Sequence, residues 1–192
     1  MPTSSYALAA AYGLGRAQDD ELILAASGTA YTGETGSTST VLPTAQKITE
    51  SGTDGLTIAK LRSAKEILDL GSVDPSIARF IIVGPRQITD LLGTTEVTSS
   101  DYNTVKALAN GEVDSFLGFK FIVSNRLDLT SSKRLCLAWA QDGMMLALGQ
   151  DILTRIDERS DKGYSTQVYV CQTVGASRME EAKVVTIQAH EA

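Results

Sequence analysis

The stretch closest to a chemical motif is Gly28-Thr29-Ala30-Tyr31-Thr32-Gly33-Glu34-Thr35. Its glycine spacing is that of a loop that cradles phosphates and presents a lysine to them. Here Glu34 stands where that lysine would meet the β- and γ-phosphates, so the loop would repel its ligand. The preceding segment also reads as helix, where the motif needs a strand. Gly13-Leu14-Gly15 opens a dinucleotide-type pattern, but Gln18 occupies the third glycine position and no strand precedes it. The only histidine, His190, is third from the end of the sequence, where a chain usually frays, so it reads as solvent-exposed and unsuited to a serine triad.

Carboxylates gather in one stretch, Asp151, Asp157, Glu158 and Asp161, together with Arg155, Arg159 and Lys162. Catalysis by paired carboxylates needs one acid with a raised pKa beside an ionised base. Mixed signs at this spacing instead describe a solvated face or a salt-bridged contact between subunits. Asp19, Asp20 and Glu21 read the same way, as a solvated acidic patch or a subunit contact. Cys136 and Cys171 have no CxxC spacing and no accompanying histidines, and read as buried free thiols. Trp139, Met144 and Met145 are explained by core packing. The residues therefore give no catalytic group, no cofactor site and no metal site.

The elements that carry these residues follow from pattern. Tyr6 to Ala26 reads as the longest helix, entered through Pro2, Thr3 and Ser4 and interrupted by Gly13 and Gly15, with Ala9, Gly13 and Ala17 as a small-residue face for close packing. Gly28 to Pro43, rich in Thr, Ser and Gly, reads as a mobile loop. Thr57 to Leu70 is a helix with the stripe Ile58, Leu61, Ala64, Ile67 and Leu68, stopped at Gly71, with Arg62/Glu66 and Lys65/Asp69 as outer pairs. Arg79 to Val83 is a short strand, Pro85 starts a third helix that Gly93 closes, and Asp101 caps a fourth that Gly111 stops. From Phe116 a period of two takes over, with Leu117, Phe119, Phe121 and Val123 on one edge and Gly118 as a bulge or a close approach.

Beyond Asn125 the chain reads as extended. Leu135, Leu137 and Trp139 alternate, Asp142-Gly143 turns, and Gln150 to Arg155 is a strand. Asp157 to Lys162 reads as a solvated turn, Tyr164 to Ala176 as the longest strand, and Lys183 to Ala189 as its antiparallel partner. The fold class is α+β: a helical middle followed by a long β-ribbon.

The bulk composition agrees. With 192 residues, 43% hydrophobic and 21% charged, the chain can form one ordinary domain or two small lobes. A net charge of -6 with 17 scattered basic residues excludes a nucleic-acid clamp, though not a wall that touches DNA weakly. No apolar run approaches the ~18 to 20 residues of a membrane span and no export signal opens the sequence, so a cytosolic product is expected.

Asp101 to Leu127 (DYNTVKALANGEVDSFLGFKFIVSNRL) resembles a unit of the major capsid proteins of tailed phages, and the resemblance runs colinearly over nearly the whole chain. Gly15-Arg16-Ala17, Asp19-Asp20-Glu21 and the Gly28 to Gly33 loop are similar to the family's spine helix and the loop after it. Leu56 to Asp69, Phe80 to Leu92 and the Asp101 unit are similar to its axial domain, and Asp151 to Val185 to its peripheral-domain strands.

The resemblance implies the capsid fold of tailed phages and encapsulins: residues 1–50 as spine helix and following loop in the peripheral domain, 51–149 as axial domain, and 150–192 as peripheral strands returning to the spine helix. It implies no catalysis. Copies would assemble as pentamers and hexamers into an icosahedral shell, with scaffolding protein and a portal, around double-stranded DNA touched weakly and without sequence preference. The location would be the virion capsid, assembled in the cytoplasm of the bacterial host. Asp19, Asp20, Glu21, Arg155, Asp157, Glu158, Arg159, Asp161 and Lys162 are the expected subunit contacts. Family members carry an N-terminal arm and an extended loop before the spine helix, whereas here Met1 falls just before it. A shortened form, a separate short product or an arm supplied by another chain are the expectations open at this point. The alternative functions are a soluble module that binds coat subunits and modulates assembly, and a subunit of an encapsulin-like compartment.

Overall fold

The computed structural model describes residues 2–49, 52–93 and 115–191, with the side chains of residues 2–4 excepted. The helix expected from Asp101 to Gly111 lies outside the described residues. In chain order the elements are α1 (Pro2–Ser27), β1 (Thr29–Thr32), β2 (Thr38–Val41), β3 (Lys47–Ile48), α2 (Ile58–Leu70), β4 (Arg79–Val83), α3 (Pro85–Leu92), β5 (Ser115–Phe116), β6 (Phe119–Val123), β7 (Leu129–Thr130), β8 (Lys133–Ala140), β9 (Met144–Arg159), β10 (Ser165–Arg178) and β11 (Val184–His190).

The core forms where α2 meets a seven-stranded mixed sheet of order β3-β11-β8-β4-β6-β5, with β7 paired to β8. The stripe read from the sequence buries Ile58, Leu61, Ala64 and Leu68. Thr57 accepts a hydrogen bond from the Lys60 backbone amide, and Gly71 donates its own amide to the Ile67 carbonyl. Against this helix lie Ile81, Val83, Phe119, Val185 and Ile187, all essentially inaccessible, while Leu137 and Val184 are buried on the opposite face. On the other face of the sheet Phe80 stacks on Trp139 at 5.8 Å, and the Lys120 ammonium sits over the Phe80 ring. Cys136 lies in the core, where burial pushes its thiol up to about 12, whereas Cys171 is only half-buried on β10.

Polar groups inside this core are tied in pairs. Arg79, expected on an apolar strand, is buried and donates to Asp69 Oδ1 at 2.6 Å and to the Val73 carbonyl at 3.2 Å. Asp69 is thus held by Arg79, not by Lys65. Lys60 donates to the carbonyls of Asp54, Gly55 and Gln188, joining the entry of α2 to β11. The end of β11 is anchored too. His190 is half-buried, and its amide donates to the Asp54 carbonyl. Glu191 takes a bidentate pair from Arg134 at 2.7 and 2.8 Å and a third bond from the Gln87 amide. The frayed tail anticipated for His190 is therefore replaced by a paired strand and an ion pair.

Three other expectations change. Gly28 to Pro43, read as a loop, contains the antiparallel hairpin β1–β2 with Ala30 and Leu42 buried, because alternation in Thr29 to Thr32 and Thr38 to Val41 suffices for a short ribbon once a neighbour covers it. Gly118 is neither a bulge nor a close approach: with φ 87 beside Leu117 at φ 53, it closes a two-residue hairpin between β5 and β6, a turn that needs positive φ at both central positions. The partner of β10 is β9 and not the Lys183 to Ala189 strand. β11 pairs with β8 and β3 instead, since its apolar residues face both ways and fit only the interior of a two-sided sheet.

Candidate assembly surface

Two long elements stand partly outside the core. Helix α1, 26 residues, packs along β10, and β9 and β10 make a two-stranded antiparallel ribbon from Met144/Arg178 to Arg159/Ser165. At the usual rise per residue the ribbon is about 50 Å long. Almost every residue of β9 is exposed.

Arg178 builds the junction between them. Only 4% exposed, its guanidinium donates to the Ala25 and Ala26 carbonyls at 3.2 Å, to the Gly28 carbonyl, and to Thr40 at 3.0 Å. A cation at a helix C-terminus meets the negative end of the macrodipole and the free carbonyls of the last turn. One side chain therefore ties α1, the β1–β2 hairpin and the ribbon together. Burial pulls its pKa down, and its Nε has no partner. Gly28 is required here, since a Cβ would sit 2.6 Å from the Leu24 carbonyl oxygen.

The candidate contact residues fall into two separate groups. Asp19, Asp20 and Glu21 lie in the C-terminal half of α1, near the base of the ribbon. Asp20 is already engaged: Arg126, far away in sequence, donates from both Nε (2.7 Å) and Nη2, and this hydrogen bonding holds the Asp20 carboxyl below its usual range. Asp19 and Glu21 are exposed.

Arg155, Asp157, Glu158, Arg159, Asp161 and Lys162 occupy the distal ribbon and its tip. Asp157, Glu158 and Arg159 continue β9, so the turn is shorter than the sequence suggested and spans residues 160–164. Arg159 grips Asp161 at 2.9 and 2.5 Å and depresses its carboxyl pKa. Arg155 faces Tyr169 and Asp157 faces Gln167 across the ribbon, beside a groove of about 460 Å³ that also touches Cys171. The expected Gln150 to Arg155 strand is thus the middle of a single 16-residue one.

Apolar side chains accompany these charges: Tyr6, Leu8 and Tyr12 on α1, and Leu148, Ile152, Ile156, Tyr164 and Tyr169 on the ribbon, are each close to half exposed or more. The small-residue face Ala9, Gly13, Ala17 is not closely packed within the chain. Ala9 and Ala17 are exposed, and a Cβ on Gly13 or Gly15 would meet nothing within 4 Å. Sequence reasoning missed Arg178, Arg79 and the Glu191–Arg134–Gln87 cluster, whose partners lie too far apart in the sequence to be paired by pattern.

Among the described residues no cluster of His, Cys, Asp or Glu could hold a metal ion, and no helix is long and apolar enough to cross a membrane. What the described residues offer is an extended surface of exposed charges and apolar side chains.

A family model described as phage capsid protein matches residues 1–191. No curated protein matches the sequence. Among solved structures, a chain of Mycobacterium phage Che8 is similar with a TM-score of 0.69 and 17% identity, over 95% of this chain and 61% of that one. The capsid of cyanophage P-SCSP1u is similar with a TM-score of 0.69 and 17% identity, over 98% and 66%. The holo-SrpI encapsulin complex of Synechococcus elongatus follows at 0.58 and 12%, over 93% and 62%. In each comparison this chain spans less than two thirds of the other chain's length. The mixed helix-and-sheet fold expected from the sequence is the fold these structures share.

Proposed function

Because the chain belongs to the phage capsid protein family over residues 1–191, we propose that it is a structural subunit of an icosahedral shell enclosing double-stranded DNA. The observation that carries this reading is the pairing of a 26-residue helix with a ribbon about 50 Å long, both bearing large apolar side chains in solvent. A two-stranded ribbon is marginal in water alone, and neighbours that cover it would explain why its sequence keeps Leu148, Ile152 and Ile156.

In this reading α2, α3 and the seven-stranded sheet form the lobe near capsomer centres, and α1, the β1–β2 hairpin and the ribbon form the peripheral lobe. Strand β11 then joins the first lobe although it lies within residues 150–192, because its partners are β8 and β3. Asp19, Glu21, Arg155, Asp157, Glu158 and Lys162 serve as contacts that set subunit register, while Asp20, Arg159 and Asp161 act through pairs made inside the chain. Pentamers and hexamers, scaffolding protein, a portal, weak contact with packaged DNA and assembly in the host cytoplasm belong to the same proposal. The role is structural and non-enzymatic.

Sedimentation of the purified chain over a wide concentration range, with electron microscopy of the heaviest fractions, tests it. Rings or closed particles are the expected outcome. A chain that stays monomeric at the highest concentration overturns the reading.

A further inference from the structure

The edge of β9 that faces away from β10 has no strand partner among the described residues. Among the described residues β9 pairs only with β10, and α1 lies along β10, so the other edge of this 16-residue strand leaves the outward amides and carbonyls of about every second residue without a strand partner. Such edges are normally guarded by proline, lysine or brevity. Met144–Arg159 contains no proline and no lysine. Its distal part instead alternates charge on one face: Arg155 and Asp157 are exposed, lie on the same side of the strand, and make no ion pair with the described residues, in contrast to Arg159, which grips Asp161. Between them Ile156 is 48% exposed on the opposite face.

We propose that two copies of the chain pair edge to edge, β9 against β9, antiparallel about a two-fold axis through Ile156, so that Arg155 of each copy meets Asp157 of the other. A two-fold contact must be self-complementary, and an arginine and an aspartate flanking the axis on one face satisfy that twice. The same register sets Ile156 against its own counterpart and Thr154 against Glu158. Slipping the register by one residue in either copy would set Arg155 or Asp157 opposite Ile156, and slipping it by two would set Arg155 against Arg155 or Asp157 against Asp157. The ribbon becomes a four-stranded sheet, which removes both of its weaknesses, thinness and a long bare edge. The inference rests on the reading of the chain as a shell subunit and names one of its contacts.

Directly opposed residues of an antiparallel pair have Cα atoms roughly 4.5 to 5.5 Å apart, within the range a disulfide spans. In the full chain carrying Cys171→Ser, Ile156→Cys should therefore give a disulfide-linked homodimer on mild oxidation. Thr154→Cys and Glu158→Cys should each stay unlinked alone and link when mixed. Arg155→Asp and Asp157→Arg should each weaken the Ile156→Cys cross-link at least tenfold when introduced singly, and restore it when the two variants are mixed. The mixed rescue is a result that a merely misfolded variant could not give. Absence of the Ile156→Cys link in a protein that still sediments as large species overturns the edge pairing and leaves the shell reading standing. Equal linking at all three positions also overturns it. A parent chain that is monomeric at every concentration overturns both.

Discussion

At the scale of single residues, the groups that matter most are buried ions. Arg178 satisfies four carbonyls with one side chain, two in α1, one at Gly28 in the linker and one in β2. Charge-assisted hydrogen bonds are worth roughly 1.5 to 3 kcal/mol each, but replacing a buried cation with a long apolar side chain recovers part of the desolvation cost. Arg178→Met should therefore destabilise the chain by about 2 kcal/mol in urea unfolding. Hydrogen exchange should show protection lost first in β1–β2 and the last turn of α1. Unchanged protection there would remove Arg178 from its role as the junction. Glu191 gives a pH signature. The bidentate bond from Arg134, aided by Gln87, holds its carboxyl at about 2, against 4.5 when free. A depressed pKa means stability present above the free value and lost as the pH falls toward the bound one. At about 1.4 kcal/mol per pH unit the contribution near neutrality is about 3.5 kcal/mol at most. Glu191→Gln should be less stable than the parent at neutral pH, and the two stabilities should converge between about pH 4.5 and 2; parallel curves in urea unfolding would refute the assignment. Neither residue was legible in advance, because nothing local connects Arg178 with Ala25 or Arg134 with Glu191.

At the scale of elements, helix boundaries are marked by local residues, whereas strand partners are fixed by contacts distant in sequence. Helix α2 carries every sign of itself in order: a threonine cap, an apolar stripe and a terminal glycine. Helix α3 is likewise announced by Pro85 and closed by Gly93. Strand partners carry no such marks. Lys183 to Ala189 and Tyr164 to Ala176 are both apolar and adjacent in sequence, which suggests a hairpin, yet the connections on either side of β10, residues 160–164 and 179–183, are equally long, and β10 takes β9 as partner while β11 enters the sheet beside β8. Turns also hide their strain. Ser131 and Ser132 sit at φ 51 and 61 between β7 and β8, a conformation glycine adopts freely and serine does not. Both are exposed, and the Ser132 carbonyl accepts a hydrogen bond from the Glu191 amide, which a glycine would keep. Ser132→Gly should therefore stabilise the chain by about 0.5 to 1 kcal/mol, seen as a higher denaturant midpoint at unchanged slope. A lower midpoint would mean the serine side chain does more than fill a turn.

At the scale of the whole molecule, a chain with a well-filled sheet core also carries large side chains in solvent on α1 and the ribbon. Sequence patterning separated the helical part from the extended part, but it could not say which apolar residues would remain outside. The same alternation serves a core face and a contact face, and the face is settled only by what lies next to it. Tyr6 and Tyr12 make the distinction measurable. They are 67% and 62% exposed on α1, so removing them takes little from the folded monomer. Tyrosine and serine have nearly equal helix propensity, so Tyr6→Ser with Tyr12→Ser should leave α1 intact and shift unfolding by no more than about 0.5 kcal/mol. If α1 is a contact face, the same double variant should sediment as small species under conditions where the parent forms large ones, because aromatic side chains carry much of the energy of a buried contact. Particles of unchanged size and yield would mean that α1 faces solvent in the assembly as well, leaving the ribbon as the principal contact surface.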